Sequence, residues 1–198
     1  MHQSGPFDLV FIAMFLVCFF IRMPHEYKTR QVKRIESRDN ALEKFNLLLV
    51  FTGSLTLPVL YFFSPWFKFA NYEVHTAVGI CGSITAVIGV WLFWRSHKDL
   101  GRQFSATLEV KEVHALVTSG VYKNIRHPMY TAAFLVSFSQ MLLLGNWVVG
   151  PSFLLAFLSL YLVRIGNEER MMLDHFGQEY ADYMKRTNRL FPGLGKRP

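Results

Sequence analysis

The chain has 198 residues, 52% of them hydrophobic and only 18% charged, with nineteen Phe and a positive mean hydropathy of +0.23. Ordinary soluble domains carry roughly 25% charged residues, so the composition points to a single membrane bundle and away from a water-soluble fold. The net charge of +7 is no argument for nucleic acid, because the bases fall between apolar runs and not along one polar stripe. Cys18 and Cys81 both lie inside apolar runs and offer neither a disulfide framework nor a zinc pattern.

Phe7 to Ile21 is apolar apart from Asp8, and residues 1–21 contain no Lys or Arg. That pattern reads as a first spanning helix and not as a signal peptide. At 15 residues it falls short of the usual ~20, so tilt or local thinning of the bilayer is expected. Residues 22–44 are polar and mostly basic, with Glu26, Glu36, Asp39 and Glu43 interspersed, and read as a solvated loop on the positive side.

Phe45 to Phe63 is the second predicted span, with a kink expected at Pro58. Ser64 to Glu73 is a short turn. Val74 to Trp94 is the third span, and its Gly79, Gly82, Ser83 and Gly89 make a face where another helix can approach closely. His75 reads as an interfacial polar residue. Residues 95–126 form a second polar segment. Met129 to about Leu144 is the fourth span, Gly145-Asn146 a tight turn, Trp147 an interfacial anchor, and Val148 to about Ile165 the fifth span. The short connection makes the last two spans an antiparallel hairpin. From Asn167 to Arg189, apolar residues recur at three- and four-residue spacing, which predicts an amphipathic helix against the bundle or the membrane surface.

The expected fold is therefore an all-α integral membrane protein of five transmembrane helices and a C-terminal amphipathic helix. Residues 1–198 form one membrane domain, with three spans in 1–94 and the chemistry in 95–198. Segments 22–44, 95–126 and 164–198 share one side and hold every Lys and Arg except Lys68. The positive-inside rule then puts the N-terminus outside and the C-terminus in the cytosol.

The stretch from Gly120 to Tyr130 packs two bases, two aromatics and a proline where a membrane helix should begin. Proline suits the first helical turn, where its missing N–H costs nothing. Arg126 and His127 are thus expected at a helix start on the water–lipid boundary. Arg164 and the pair Glu168-Glu169 occupy a matching boundary after the fifth span, and Arg164 and Glu168 share a helix face. These groups read either as snorkelling anchors and solvated charges or as one converging functional site. No catalytic triad, Gly-rich phosphate loop, His-Glu-x-x-His or metal-ligand spacing is present.

Further motifs carry a resemblance. His114 to Tyr122, Arg126-His127-Pro128-Met129-Tyr130, Glu168-Glu169 and Phe176 to Tyr180, led in by Leu100 to Ser105, resemble the isoprenylcysteine carboxyl methyltransferase family. The resemblance covers about residues 95–192. It implies S-adenosylmethionine bound on the cytosolic side, at His114, Ala115, Leu116, Val117, Tyr122, His127, Pro128, Met129, Tyr130 and Glu168. It implies a substrate-side arginine at Arg164, with Arg126 as a second group for the acceptor carboxylate. Ala132 stands where the family usually has Gly. The implied partners are membrane lipids and a lipophilic carboxylate substrate, with no nucleic acid and no metal. The oligomeric state is not readable from the sequence, which is compatible with a monomer.

Carboxylate methylation fits the residues, since an α-carboxyl of pKa roughly 3.3–3.7 is already ionised at neutral pH and needs no general base. Positioning alone can supply roughly 7–11 kcal/mol. Three other readings stay open from the residues. One is a phospholipid N-methyltransferase, whose amine acceptor must be deprotonated. The others are a sterol-type reductase using NADPH and a non-catalytic scaffold binding anionic lipid. The resemblance places the protein in a membrane, the plasma membrane of a prokaryote or the endoplasmic reticulum of a eukaryote.

Overall fold

A computed structural model describes residues 5–30, 34–37, 41–101, 109–111 and 115–192. Seven α-helices are assigned among them: α1 (Pro6–Arg30), α2 (Ala41–Phe51), α3 (Leu57–Phe63), α4 (Thr76–Leu100), α5 (Pro128–Leu143), α6 (Val149–Phe176) and α7 (Gln178–Arg186). Pro6–Pro24, Ala41–Phe63, Thr76–Leu100 and Val149–Phe176 are long and apolar enough to cross a membrane, and Pro128–Leu143 is a shorter apolar helix. Many large apolar side chains face outward along them, including Leu9, Leu48, Val87 and Leu162. An apolar exterior of this kind matches a lipid-facing surface. The architecture is that of a multi-pass integral membrane protein.

The first span is longer than expected. Pro6–Pro24 supplies 19 apolar-helix residues, so neither tilt nor thinning is required of it. The second span begins four residues earlier than its apolar run, at Ala41, which takes Glu43 out of the expected loop and into a helix. Pro58 shapes this span through hydrogen bonding. A π-turn at Thr52–Thr56 joins α2 to α3, and the Leu57 N–H donates to the Thr52 carbonyl. Pro58 has no N–H to offer, so the Gly53 carbonyl needs partners from outside the helix. Gln140 Nε2 donates to it at 3.0 Å and Ser152 Oγ at 3.1 Å. The close approach leaves no room for a side chain at Gly53, whose Cβ would stand 2.9 Å from the Ser152 carbonyl.

Helix α5 lies at the centre, packed on α4 to one side and α6 to the other, with α1 also touching it and α2 packed on α6. The small-residue face on α4 serves this packing. Gly82 and Gly89 meet Leu142, Leu143, Leu135 and Val136 of α5, and Gly79 meets Phe7 of α1. His75 caps α4, its Nδ1 accepting from the Ala77 N–H at 3.3 Å. The α5–α6 turn is latched to residues 64–75. Asn146 donates to the Phe67 carbonyl at 2.8 Å and to Asn71 Oδ1 at 2.6 Å, while its own Oδ1 accepts from the Val148 and Val149 N–H groups. An apolar core of Phe11, Met14, Tyr61, Ala86, Leu143, Leu144 and Val149 sits toward this latched end. The polar cluster lies at the other end.

Two expectations change at that polar end. The bundle is all-helical, but β1 (Arg34–Ser37) and β2 (Glu109–Lys111), from the two polar segments 22–44 and 95–126, pair as an antiparallel ribbon. Pairing satisfies backbone groups that the loops would otherwise leave to water. The tail is not one amphipathic helix from Asn167. Helix α6 runs on to Phe176 and breaks at Gly177, with φ 53°, before α7. The extension carries Glu168 and Glu169 on a continuous, rigid element.

Candidate functional site

Pro128 occupies the first turn of α5, as its missing N–H predicts, and places Arg126 and His127 just ahead of the helix. Gly120 shapes the approach. It has φ 60°, and a Cβ there would collide with the Asp99 carboxylate. Asp99 accepts from the Val121 N–H at 2.9 Å and pairs with Arg95 at 3.3 Å. The turn Gly120–Lys123 is thereby pinned to α4 and buries Tyr122.

The segment after α7 returns beside the start of α5. The Arg126 N–H donates to the Asn188 carbonyl at 2.8 Å, the His127 N–H to Arg189 at 3.0 Å, and Thr131 Oγ1 to Leu190 at 2.7 Å. Tyr183 Oη donates to the Tyr122 carbonyl at 2.5 Å, and burial, working against Arg126 and Arg186, pushes this phenol's pKa up to about 12. It therefore stays a donor across the neutral range.

Seven charged groups converge here from four parts of the chain. Arg126 donates through Nε and Nη2 to Glu169 Oε1, each at 3.2 Å, and through Nη1 to the carbonyls of Met184 and Thr187. Arg189 closes on the same Glu169 at 2.5–3.0 Å. His127 lies between two carboxylates, 3.5 Å from Glu168 and 3.4 Å from Glu169. Tyr130 Oη donates to Glu168. Arg164, 8% exposed, stands 3.6 Å from Glu168 and 3.5 Å from Glu43 on α2. Tyr130 and Tyr161 meet edge to face at 5.6 Å, and Phe134 and Phe157 extend this aromatic wall. An apolar groove of about 340 Å³ continues from it, between Thr131, Phe134 and Phe138 on α5, Leu154 on α6, and Leu190–Phe191.

The geometry thus brings together Arg126, His127, Tyr130, Arg164 and Glu168, with Tyr122 and Pro128 buried beneath them. Ala115 is exposed, Leu116, Val117 and Met129 are half-buried, and His114 lies outside the described residues. Ala132 is completely buried, so its extra methyl is absorbed by packing. The contact of Glu43 with Arg164, the sharing of Glu169 among Arg126, His127 and Arg189, and the aromatic wall have no counterpart in the sequence pattern.

Burial alone would lower the His127 pKa, but hydrogen bonds and attraction from Glu168 and Glu169 outweigh it and raise the pKa above the usual 6.5. Arg126 and Tyr130 are the other polar neighbours. A raised folded-state pKa means that His127 stabilises the fold fully below about pH 6.5, and that this contribution is lost as pH climbs through the higher folded value. Stability in detergent is expected to fall over that window. His127→Gln should flatten the profile, and an unchanged profile would contradict the pairing.

Comparison with known proteins follows the same geometry. Residues 80–174 match the model of the isoprenylcysteine carboxyl methyltransferase (ICMT) family. The resemblance carried by the motifs is therefore shown. The protein-S-isoprenylcysteine O-methyltransferase of Dictyostelium discoideum is 30% identical over 146 residues, 73% of this chain and 61% of that protein. The Homo sapiens protein of the same name is 33% identical over 133 residues, 63% of this chain and 47% of its own. The chain thus spans about half to three-fifths of the length of these relatives. The solved structure of the eukaryotic intramembrane Ras methyltransferase ICMT superposes with a TM-score of 0.57 at 25% identity, covering 94% of this chain and 63% of that one. The ICMT-like fold therefore reaches beyond residues 80–174 into the N-terminal half.

Proposed function

We propose that the protein transfers a methyl group from S-adenosylmethionine to the carboxylate of a prenylcysteine-like lipophilic acceptor. The observation that carries this reading is the buried Arg164 beside the partly open Glu168, which Tyr130 joins to an aromatic wall whose Phe134 also lines an apolar groove. The residues fit the cofactor. Glu168 keeps 25% of its side chain exposed, and the buried Tyr180 Oη has no hydrogen-bond partner among the described residues. A ligand with a cationic amino end and both donors and acceptors matches that set. When bound, S-adenosylmethionine supplies an electrophilic methyl group on a sulfonium.

The chain's own residues do the positioning. Glu168 holds the amino end of the cofactor, and Tyr122, His127, Pro128, Met129 and Tyr130 shape the pocket, with Ala115–Val117 along its approach. The faces of Tyr130 and Tyr161 favour a cation near them. Arg164 holds the acceptor carboxylate by its planar fork. Arg126, whose donors are engaged by Glu169 and two carbonyls, acts as a positioning residue and does not grip the acceptor. The lipid tail lies in the groove between α5 and α6, entered sideways from the bilayer. Five spans put this end of the bundle on the cytosolic side, by the positive-inside rule, with residues 1–198 acting as one membrane domain.

The deciding experiment gives the purified protein S-adenosylmethionine labelled in its methyl group, and a farnesylated cysteine derivative or phosphatidylethanolamine in turn. Label released from the first by base as a methyl ester is the expected result. Label retained in the amine headgroup of the second would replace this reading with N-methylation. No incorporation into either by a protein that binds NADPH would favour the reductase class.

A further inference from the structure

We propose that Glu43 is an internal counter-ion of Arg164 that competes with the acceptor carboxylate and thereby eases its exchange for the ester product. The inference rests on the reading of Arg164 as the acceptor-holding residue. Glu43 is the third residue of α2 and only 1% exposed, and its Oε1 lies 3.5 Å from Arg164 Nη1. It comes from outside the residues 80–174 matched by the family model. Its place is built. Asn46, three residues on and on the same face, accepts from Ser159 Oγ of α6 at 2.6 Å and donates to the Leu42 carbonyl at 2.8 Å. The two helices are therefore fixed to each other beside the ion pair.

The charge change of the reaction gives this carboxylate its work. Esterification forms one O–CH₃ bond and breaks one S–CH₃ bond, the bond pair stays on sulfur, and no proton moves. The acceptor passes from anion to neutral ester, while Arg164 stays charged and buried. A buried cation left without an anion is strongly disfavoured. If Glu168 is turned to the amino end of the cofactor, Glu43 is a carboxylate that remains at the guanidinium. It lets Arg164 keep its charge before the acceptor arrives and after the ester forms. For the same reason it repels the acceptor carboxylate and keeps that anion from being held too tightly. Glu43 is a positioning residue, acting through Arg164.

The test measures equilibrium binding of N-acetyl-S-farnesylcysteine and of its methyl ester to the full chain in detergent, without methyl donor. The readout is the ratio of the two affinities, which a partly inactive preparation does not alter. In Glu43→Gln the preference for carboxylate over ester should rise about tenfold or more, the effect of removing a nearby like charge. S-adenosylhomocysteine affinity should stay unchanged. Glu43→Asp, which keeps the charge but retracts it, should shift the ratio in the same direction by less. It also serves if the glutamine variant fails to fold. A ratio unmoved or lowered in these variants, with the wild type binding the carboxylate, overturns the inference alone. A wild type that binds neither compound takes down the acceptor assignment and this inference with it.

Discussion

Glu168→Ala is expected to abolish S-adenosylhomocysteine binding in calorimetry, while Arg164→Lys binds it nearly as well as the wild type and loses most methyl transfer. The split follows from what each side chain faces. Glu168 is the partly open anion of the cluster, touched by Tyr130, His127 and Arg164, and so is placed to take an ammonium group. Truncating one partner of a buried, hydrogen-bonded charge pair costs roughly 2–5 kcal/mol, enough to take binding out of the measurable range. Lysine at 164 keeps the positive charge between Glu43 and Glu168, so the bundle should fold. It removes the planar fork that aligns a carboxylate. Glu168→Gln keeps the shape and a hydrogen bond without the charge, and should fall between. Equal loss of binding and transfer in both variants would show that the two residues act as one unit, and the division of roles would be wrong.

Much of this site could be read from the chain because its members sit at helix ends with helical spacing. Arg126-His127-Pro128-x-Tyr130 marks a helix start by its proline, and Arg164 and Glu168 share a face by their separation of four. What could not be read depends on tertiary path. Nothing local says that residues 187–190 return to lie beside 125–127, yet that return puts the Asn188 and Thr187 carbonyls on the Arg126 N–H and Nη1, while Glu169 and the Met184 carbonyl take its other donors. Glu43 was hidden for a related reason. In a segment crowded with bases, an acid reads as solvated charge, and only the packing of α2 on α6 puts it against Arg164. Helix α6 runs past the end of its apolar stretch near Ile165 and straight through Gly166. Gly166 there faces open space, and a single helical glycine costs only about 1 kcal/mol. A π-turn at Thr52–Thr56 lies just ahead of Pro58, where the sequence predicts a kink.

Glu169→Gln is expected to destabilise the fold by about 3–5 kcal/mol, against about 1 kcal/mol or less for Arg189→Ala. Glu169 is the shared anion of Arg126, His127 and Arg189, and it is buried, while its partner Arg126 keeps only 9% of its side chain exposed. Glutamine keeps an acceptor oxygen but not the charge, so among the described residues Arg126 is left with neutral acceptors, that amide and the carbonyls of Met184 and Thr187, and a cation without its counter-ion in a poorly solvated site carries that larger cost. Arg189 is half exposed on the same carboxylate, where water can replace it and an ion pair is worth little. The consequence should also be local. With Arg126 released, the hydrogen bonds from residues 126, 127 and 131 to residues 188–190 lose their anchor, and backbone exchange there should speed up before the α4–α5 core is affected. Thermal unfolding in detergent gives the first comparison and hydrogen exchange the second. If Arg189→Ala proves as damaging as Glu169→Gln, the segment is held from its exposed side, and Arg126 is left available for the acceptor after all.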